Sequence, residues 1–420
     1  MLSLNSFEHL LAPCCPEEFM KRLGLLVIGA HGAVASTLFA GVHLMLRGLA
    51  PRLGMLTEKA EGAEAIADWL EVVPLEGLVF GGWDPTFKNA YEAAQQHKVL
   101  PSDRLLAVRE KLEAISAWPA IVADAKGRDG RFVTAEGHRA EIAMIQRNVE
   151  DFRRLNDVDD IVIVNLASTE PYLSESEVHQ SLAAFEQGLD ASDPRINPAM
   201  RYFYAANLLG APYCNFTPSL TNVQALREHA DKLGNPFAGM DGKTGQTLLK
   251  TALAPMFRVR RLHIEGWYST NILGNNDGRV LAEPESNKTK VLSKASVLDS
   301  IVGYPVENHQ VHIHYYKPRG DSKEAWDNID LVGFAGIAMQ MKIDFLCQDS
   351  ALAAPLVIDL VRLLAVAKRQ GEKGIQRQLS LFFKSPYAEP GSSPVHDLFK
   401  QEQMLVDWAR RSAERNQDVR

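Results

Sequence analysis

The chain has 420 residues, 46% apolar and 23% charged, close to average globular usage, which excludes disordered, collagen-like and low-complexity classes. Lys plus Arg (45) falls below Asp plus Glu (52), for a net charge of −7, so no surplus basic field exists for a nucleic-acid backbone. Cys14, Cys15, Cys214 and Cys347 are too few and too irregular for a disulfide framework or a CxxC metal site, and a reducing cytoplasm is the expected home.

In chain order, the first feature is a run from Leu23 to Leu46 without Asp, Glu, Lys or Arg. Gly24, Gly29, His31, Gly32, Gly41 and His43 interrupt it. A buried strand Leu23–Ile28, a turn Gly29–Gly32 and a buried helix Ala33–Arg47 account for it without a membrane span. A second strand, Gly77–Phe80, leads into Gly81–Gly82–Trp83–Asp84–Pro85 and a helix to about Gln96, with Asp84 as its cap. Residues 103–155 read as helical and charged, with a break near Lys126–Arg131. Asp160–Leu166 is a strand closing on Ala167–Ser168–Thr169–Glu170, and Ala211–Phe216 is another, ending on Thr217–Pro218. This alternation predicts an α/β fold with a doubly wound parallel sheet, whose ligands sit at the carboxyl ends of the strands.

The pattern changes near residue 250. Arg258–Ser269 and Gln310–Tyr316 alternate with period two, as strands of an antiparallel sheet with unlike faces do. Ser293–Val302 reads as a helix, Gly336–Phe345 as a strand, Asp349–Lys368 as an apolar helix and Gly371–Arg420 as a charged helical tail. A second, sheet-containing unit is therefore expected inside a nucleotide-type α/β domain, before its C-terminal helices.

The first turn, Gly29-Ala30-His31-Gly32-Ala33-Val34-Ala35, fits a GxxGxxA variant of the dinucleotide fingerprint, with His31 at a usual glycine position. A plain strand-to-helix turn stays open. Asp84 suits a ribose ligand by position and a helix cap by local chemistry. Asp241-Gly242-Lys243-Thr244-Gly245-Gln246-Thr247 resembles part of a phosphate loop, but Phe237 stands where a Walker motif needs glycine. It reads either as an anion site at a helix start or as an ordinary capped helix. Asn271–Gly278 is rich in amides that turn chemistry alone explains. Lys290 and Lys294 share a helix face, which is either solvated or turned to an anion. Lys317 and Asp321-Ser322-Lys323 follow the alternating strand, and Asp349 caps the next helix. His309, His312 and His314 lack spaced acidic or thiol partners, so no metal site is predicted. No serine elbow or HExxH occurs.

These stretches, taken in order, resemble the inositol-phosphate synthase (myo-inositol-1-phosphate synthase) family. The matching pieces are the turn at 29–35, LVFGGWD at 78–84, APYCNFTPS at 211–219, MDGKTGQT at 240–247 and NILGNNDG at 271–278. KVLSKASVLDS at 290–300, KPRGDSK at 317–323 and CQDSALAAPLVIDL at 347–360 complete the set. The resemblance implies a Rossmann-type domain over 1–250, completed by 367–420, and an inserted α+β catalytic and oligomerisation domain over 251–366. It implies redox-neutral, NAD-dependent cyclisation of D-glucose 6-phosphate to myo-inositol phosphate, an isomerase or intramolecular lyase reaction, in a cytoplasmic homo-tetramer. Clustered lysines suit this chemistry, because they stabilise oxyanions and their pKa falls on burial.

By motif match, Lys290, Lys323 and Lys400 resemble the family's proton-transfer and oxyanion-stabilising lysines, oriented by Asp321 and Asp349. Lys294 and the turn Thr244, Gly245, Gln246 and Thr247 would take the phosphate, and Asn271, Asn275 and Asp277 the sugar. Gly29, Ala30, Gly32, Ala33, Asp84, Ser168, Thr169 and Asp241 would contact NAD. No metal ligand is implied. Departures gather in the cofactor half: His31 replaces a glycine, and Ala33-Val34 an Asn pair. A relative acting on another sugar phosphate, such as fructose 6-phosphate, or a nicotinamide-dependent polyol-phosphate dehydrogenase, is the alternative.

Overall fold

A computed structural model describes residues 21–59, 66–115, 117–122, 130–133, 135–275 and 297–418. Among them, strands β1 (Leu23–Ile28), β2 (Leu78–Trp83), β3 (Ala117–Trp118), β4 (Asp160–Asn165), β5 (Tyr213–Asn215) and β6 (Pro236–Gly239) belong to one sheet. In this all-parallel sheet they lie in the order β3-β2-β1-β4-β5-β6, and a late strand, Gly374–Ile375, extends it beyond β6. This is the strand order of dinucleotide-binding sheets, and the topology switches direction between β1 and β4.

The uncharged run at 23–46 is explained by burial on both faces. Leu23, Leu25 and Val27 of β1 point into a core shared with the helix Ala33–Leu46 and the helix Asp349–Arg369. Leu26 and Ile28 point into the opposite core, with the helices His138–Asn156, Pro198–Leu208 and Gln224–Leu233. Period-two side chains in a doubly covered parallel sheet need apolar residues at every position. The helix Asp349–Arg369 is long and apolar enough to cross a membrane, but 78% of its apolar window is buried inside the molecule. It packs on β4, β5 and β6 of the parallel sheet.

The second sheet holds β7 (His263–Leu273), β8 (Asn308–Tyr315), β9 (Ser322–Val332) and β10 (Ala338–Gln348) in the order β10-β9-β7-β8. β9 runs antiparallel to both neighbours, but β7 and β8 are parallel, so the sheet is mixed, not antiparallel. Its inner face packs Trp267, Ile329 and Leu331 against Ala254 and Phe257 of the helix Gly245–Val259. That helix takes in Arg258 and Val259, which the alternation had assigned to a strand. β9 was not foreseen, because its inward positions are Lys323, Ala325, Asp327, Ile329 and Leu331, and two charges hide the apolar period. Short β3, β6 and the strand Gly374–Ile375 escaped for lack of length. The helix expected from Asp84 begins instead at Ala90, where Asn89 and Glu92 form a reciprocal capping box. The predicted helix at 293–302 is seen over 297–302, and the rest lies outside the described residues.

Candidate active site

The switch point brings the Gly29 turn beside the loop after β4. Gly29 has φ +88°, and a Cβ there would lie 3.1 Å from Ala167 N and Leu166 O, so both conformation and space call for glycine. The helix Ala33–Leu46 opens on Gly32 with no side-chain cap and no acidic residue in its first turn. Unclaimed N–H groups and the positive helix end form a cradle for a pyrophosphate. Ser168 is exposed and Thr169 half-buried at the edge of the same crevice. Asp84 has a different place from the one expected. Its Oδ2 accepts from His31 N at 2.8 Å, while Oδ1 accepts from Thr86 N at 2.9 Å and Thr86 Oγ1 at 2.7 Å. Burial raises this carboxyl, but the His31 ring and these donors outweigh it and hold it below the usual range. Asp84 thus ties the Gly turn to the end of β2. It caps no helix.

The second half of the site follows β6. Asp241 has φ +62° and accepts from Lys384 Nζ at 2.8 Å. Thr244 is the N-cap residue of the helix Gly245–Val259, but its hydroxyl donates to Asp349 Oδ1 at 2.8 Å instead of capping. The helix N-terminus therefore keeps its N–H groups, again with no acidic residue in the first turn. Lys323 Nζ donates to the same Asp349 Oδ1 at 3.2 Å and lies against Gly245. Burial pushes Asp349 up, yet Lys323, Lys384 and the Thr244 hydroxyl together hold it below its ordinary value. Asp321 accepts from Ser350 N at 2.9 Å, Ser350 Oγ at 2.7 Å and Asn275 Nδ2 at 3.4 Å. Burial first, then Asp349, raises its pKa. Gln246 donates to Thr270 O at 3.4 Å and accepts from Asn271 Nδ2, which fixes both amides under the turn.

The structure thus gathers Thr244, Gly245, Gln246, Asn271, Asn275, Asp321, Lys323 and Asp349, with buried Thr247 on the same helix turn. Asp277, Lys290 and Lys294 lie outside the described residues. Lys400 does not join the cluster: it is exposed in the first turn of the helix Leu398–Asp418, where its backbone N–H donates to Asp397 Oδ1 at 3.3 Å. Among the described residues no group of three or more His, Cys, Asp or Glu gathers as a metal site would require.

Three further polar residues were given no role by the sequence. Lys384, from FFKSPY, reaches Asp241 and Asp349 only through the fold. Lys243 was legible as part of the DGKTG turn, but not its burial. Its Nζ donates to Gln401 beside Lys400, and desolvation lowers its pKa to about 7. Glu170 accepts from Ala199 N at 3.1 Å, and burial pushes it up to about 7.

The family profile described as myo-inositol-1-phosphate synthase matches residues 23–410. The chain belongs to this family. Inositol-3-phosphate synthase 1 of Bacteroides thetaiotaomicron is 42% identical over 407 residues, covering 93% of this chain and 95% of that protein. The inositol-3-phosphate synthase of Saccharomyces cerevisiae is 29% identical, covering 93% of this chain and 85% of that one. The crystal structure of inositol-3-phosphate synthase from Caenorhabditis elegans superposes with a TM-score of 0.86 at 25% identity, over 94% of this chain and 86% of that one. As a myo-inositol-1-phosphate synthase family member the chain is an NAD-binding enzyme of the isomerase type. The Gly29–Gly32 cradle fits that cofactor.

Proposed function

We propose that the chain cyclises D-glucose 6-phosphate to myo-inositol phosphate, on the ground that a buried Lys323–Asp349 pair faces an uncapped helix start on a dinucleotide-binding scaffold. NAD, when bound, supplies the reversible hydride chemistry at C5 that leaves the overall reaction redox-neutral. The residues handle charge and protons. The N–H groups at Thr244–Thr247, with Lys294, hold the phosphate by the helix dipole and charge-assisted bonds. A C5 ketone acidifies the C6 proton, and its removal gives an enolate that attacks the C1 aldehyde to close the ring. Lys323 and Lys290 move those protons and neutralise the oxyanions, where a desolvated ammonium acts more strongly than in water. Asp321 and Asp349 orient the lysines. Asn271, Asn275 and Asp277 bond the sugar hydroxyls.

A homo-oligomer, expected as a tetramer, is supported by apolar side chains exposed at the β9–β10 turn and along the mixed sheet. Phe334 is 97% exposed, and Ile337, Leu346, Tyr268 and Tyr316 are exposed with it. Cys214 and Cys347 are free and buried, which suits a reducing cytoplasm.

The test is a phosphorus and carbon NMR time course with labelled glucose 6-phosphate and catalytic NAD. A cyclitol phosphate formed in excess of cofactor, without accumulated NADH, is expected. NADH in step with product would instead indicate a polyol-phosphate dehydrogenase. Turnover of fructose 6-phosphate alone would move the substrate.

A further inference from the structure

His31 occupies a glycine position of the fingerprint, and its side chain is turned against the end of β2 with 5% of the residue exposed. Both ends of its backbone are held: the N–H by Asp84 Oδ2 at 2.8 Å and the carbonyl by His97 Nε2 at 2.9 Å. A proton count fixes the ring. The Thr86 hydroxyl donates its one proton to Asp84 Oδ1 at 2.7 Å, so its oxygen is left to accept. His31 Nδ1, 2.9 Å away, therefore carries a hydrogen and donates to Thr86 Oγ1. In the neutral ring Nε2 is then a lone pair, and it is buried with no hydrogen-bond partner among the described residues. Buried polar atoms in native structures nearly always have one.

The carboxylate after β2 usually accepts from the adenosine ribose in dinucleotide-binding sheets. Here both Asp84 oxygens already accept from His31 and Thr86. We propose that His31, not Asp84, reads the adenosine ribose of the cofactor, its Nε2 accepting a hydrogen bond from the 2′-hydroxyl. Asp84 becomes the positioning residue behind it. This deepens the NAD reading and rests on it. A 2′-phosphate offers only acceptor oxygens to that lone pair and brings negative charge toward ionised Asp84, so the same arrangement selects NAD over NADP.

The test titrates the full-length protein with NAD, with its analogue lacking the adenosine 2′-hydroxyl, and with NADP, by calorimetry without sugar phosphate. Wild type is expected to bind NAD about tenfold tighter than the deoxy analogue and about a hundredfold tighter than NADP. His31→Gly and His31→Phe are expected to bind NAD and the deoxy analogue alike. The wild-type comparison of ligands does not depend on either variant folding. Equal wild-type affinity for NAD and its deoxy analogue overturns the assignment while leaving NAD binding intact. So does a His31→Gly protein that keeps the tenfold difference. Failure of every dinucleotide to bind wild type overturns the cofactor reading itself.

Discussion

Lys323 Nζ donates to Asp349 Oδ1 at 3.2 Å, joining the start of β9 to the first turn of the helix that follows β10. The register of the β9/β10 hairpin makes this contact: Lys323 pairs with Cys347, two residues before Asp349. Removing the charge while keeping the stem, Lys323→Met, is expected to lower kcat/KM by roughly 10²–10³-fold, the scale of one oxyanion-stabilising group. NAD affinity, measured by calorimetry, is expected to stay within about twofold, because the cofactor crevice is built from other elements. Unchanged turnover would remove Lys323 from the chemistry.

Gly245 has φ +57°, and a Cβ there would lie 3.1 Å from Lys323 Cε and 3.2 Å from its Nζ. Gly245→Ala is expected to lose about 1–2 kcal/mol to left-handed backbone strain and to displace the ammonium. A drop in kcat of about tenfold or more should accompany it. Gly234→Ala supplies the control, since Gly234 has φ +62° with open space around it. Thermal melts should show a similar loss in both variants, with kcat lost only in the first.

Asp359 is buried under Leu56 N (2.8 Å), Thr57 N (3.0 Å) and Thr57 Oγ1 (2.6 Å), and burial raises its pKa to about 6 against those donors. A folded value above the unfolded one means stability present below about pH 4 and lost as pH rises through 6, roughly 3 kcal/mol for this group. Urea unfolding of wild type and Asp359→Asn at pH 4 and pH 7 reads the difference. Wild type should weaken relative to the variant as pH rises, and a pH-independent difference would contradict the assignment.

Lys243 runs the other way. Burial lowers it to about 7, so stability relative to an uncharged residue is present at high pH and is lost as pH falls from about 10 toward 7. Lys243→Met should therefore be more stable than wild type at pH 7, with the gap closing by roughly 2–4 kcal/mol by pH 9.5. Parallel urea melts of the two proteins across that range measure it. If the gap does not change, the ammonium is not desolvated as the structure has it.

Local chemistry in the sequence was enough for the parallel half of the fold. The run LGLLVI at 23–28 is apolar at every position because both sheet faces are covered, and that pattern is visible without coordinates. The turns at Gly29 and Asp241–Thr247 were legible for a similar reason, since positive φ and helix starts demand particular residues close together in sequence. Family resemblance extended this to Lys323, Asp321 and Asp349.

What sequence could not supply were relationships set by register and by distant segments. β9 carries Lys323 and Asp327 at inward positions, so the polarity that makes the site erased the period that would have announced the strand. Asp84 looked like a helix cap, because capping is the nearest use for an Asp before Pro. Only the folded chain shows the His31 amide, 53 residues away in sequence, claiming its oxygen. Fold class, family and the two glycine turns were all legible in the chain's local pattern, since these depend on side-chain size and backbone conformation within a few residues. Which charges meet depends on the folded chain. Lys384 reaches Asp241 across 143 residues, Thr244 reaches Asp349 across 105, and no local preference encodes such a distance.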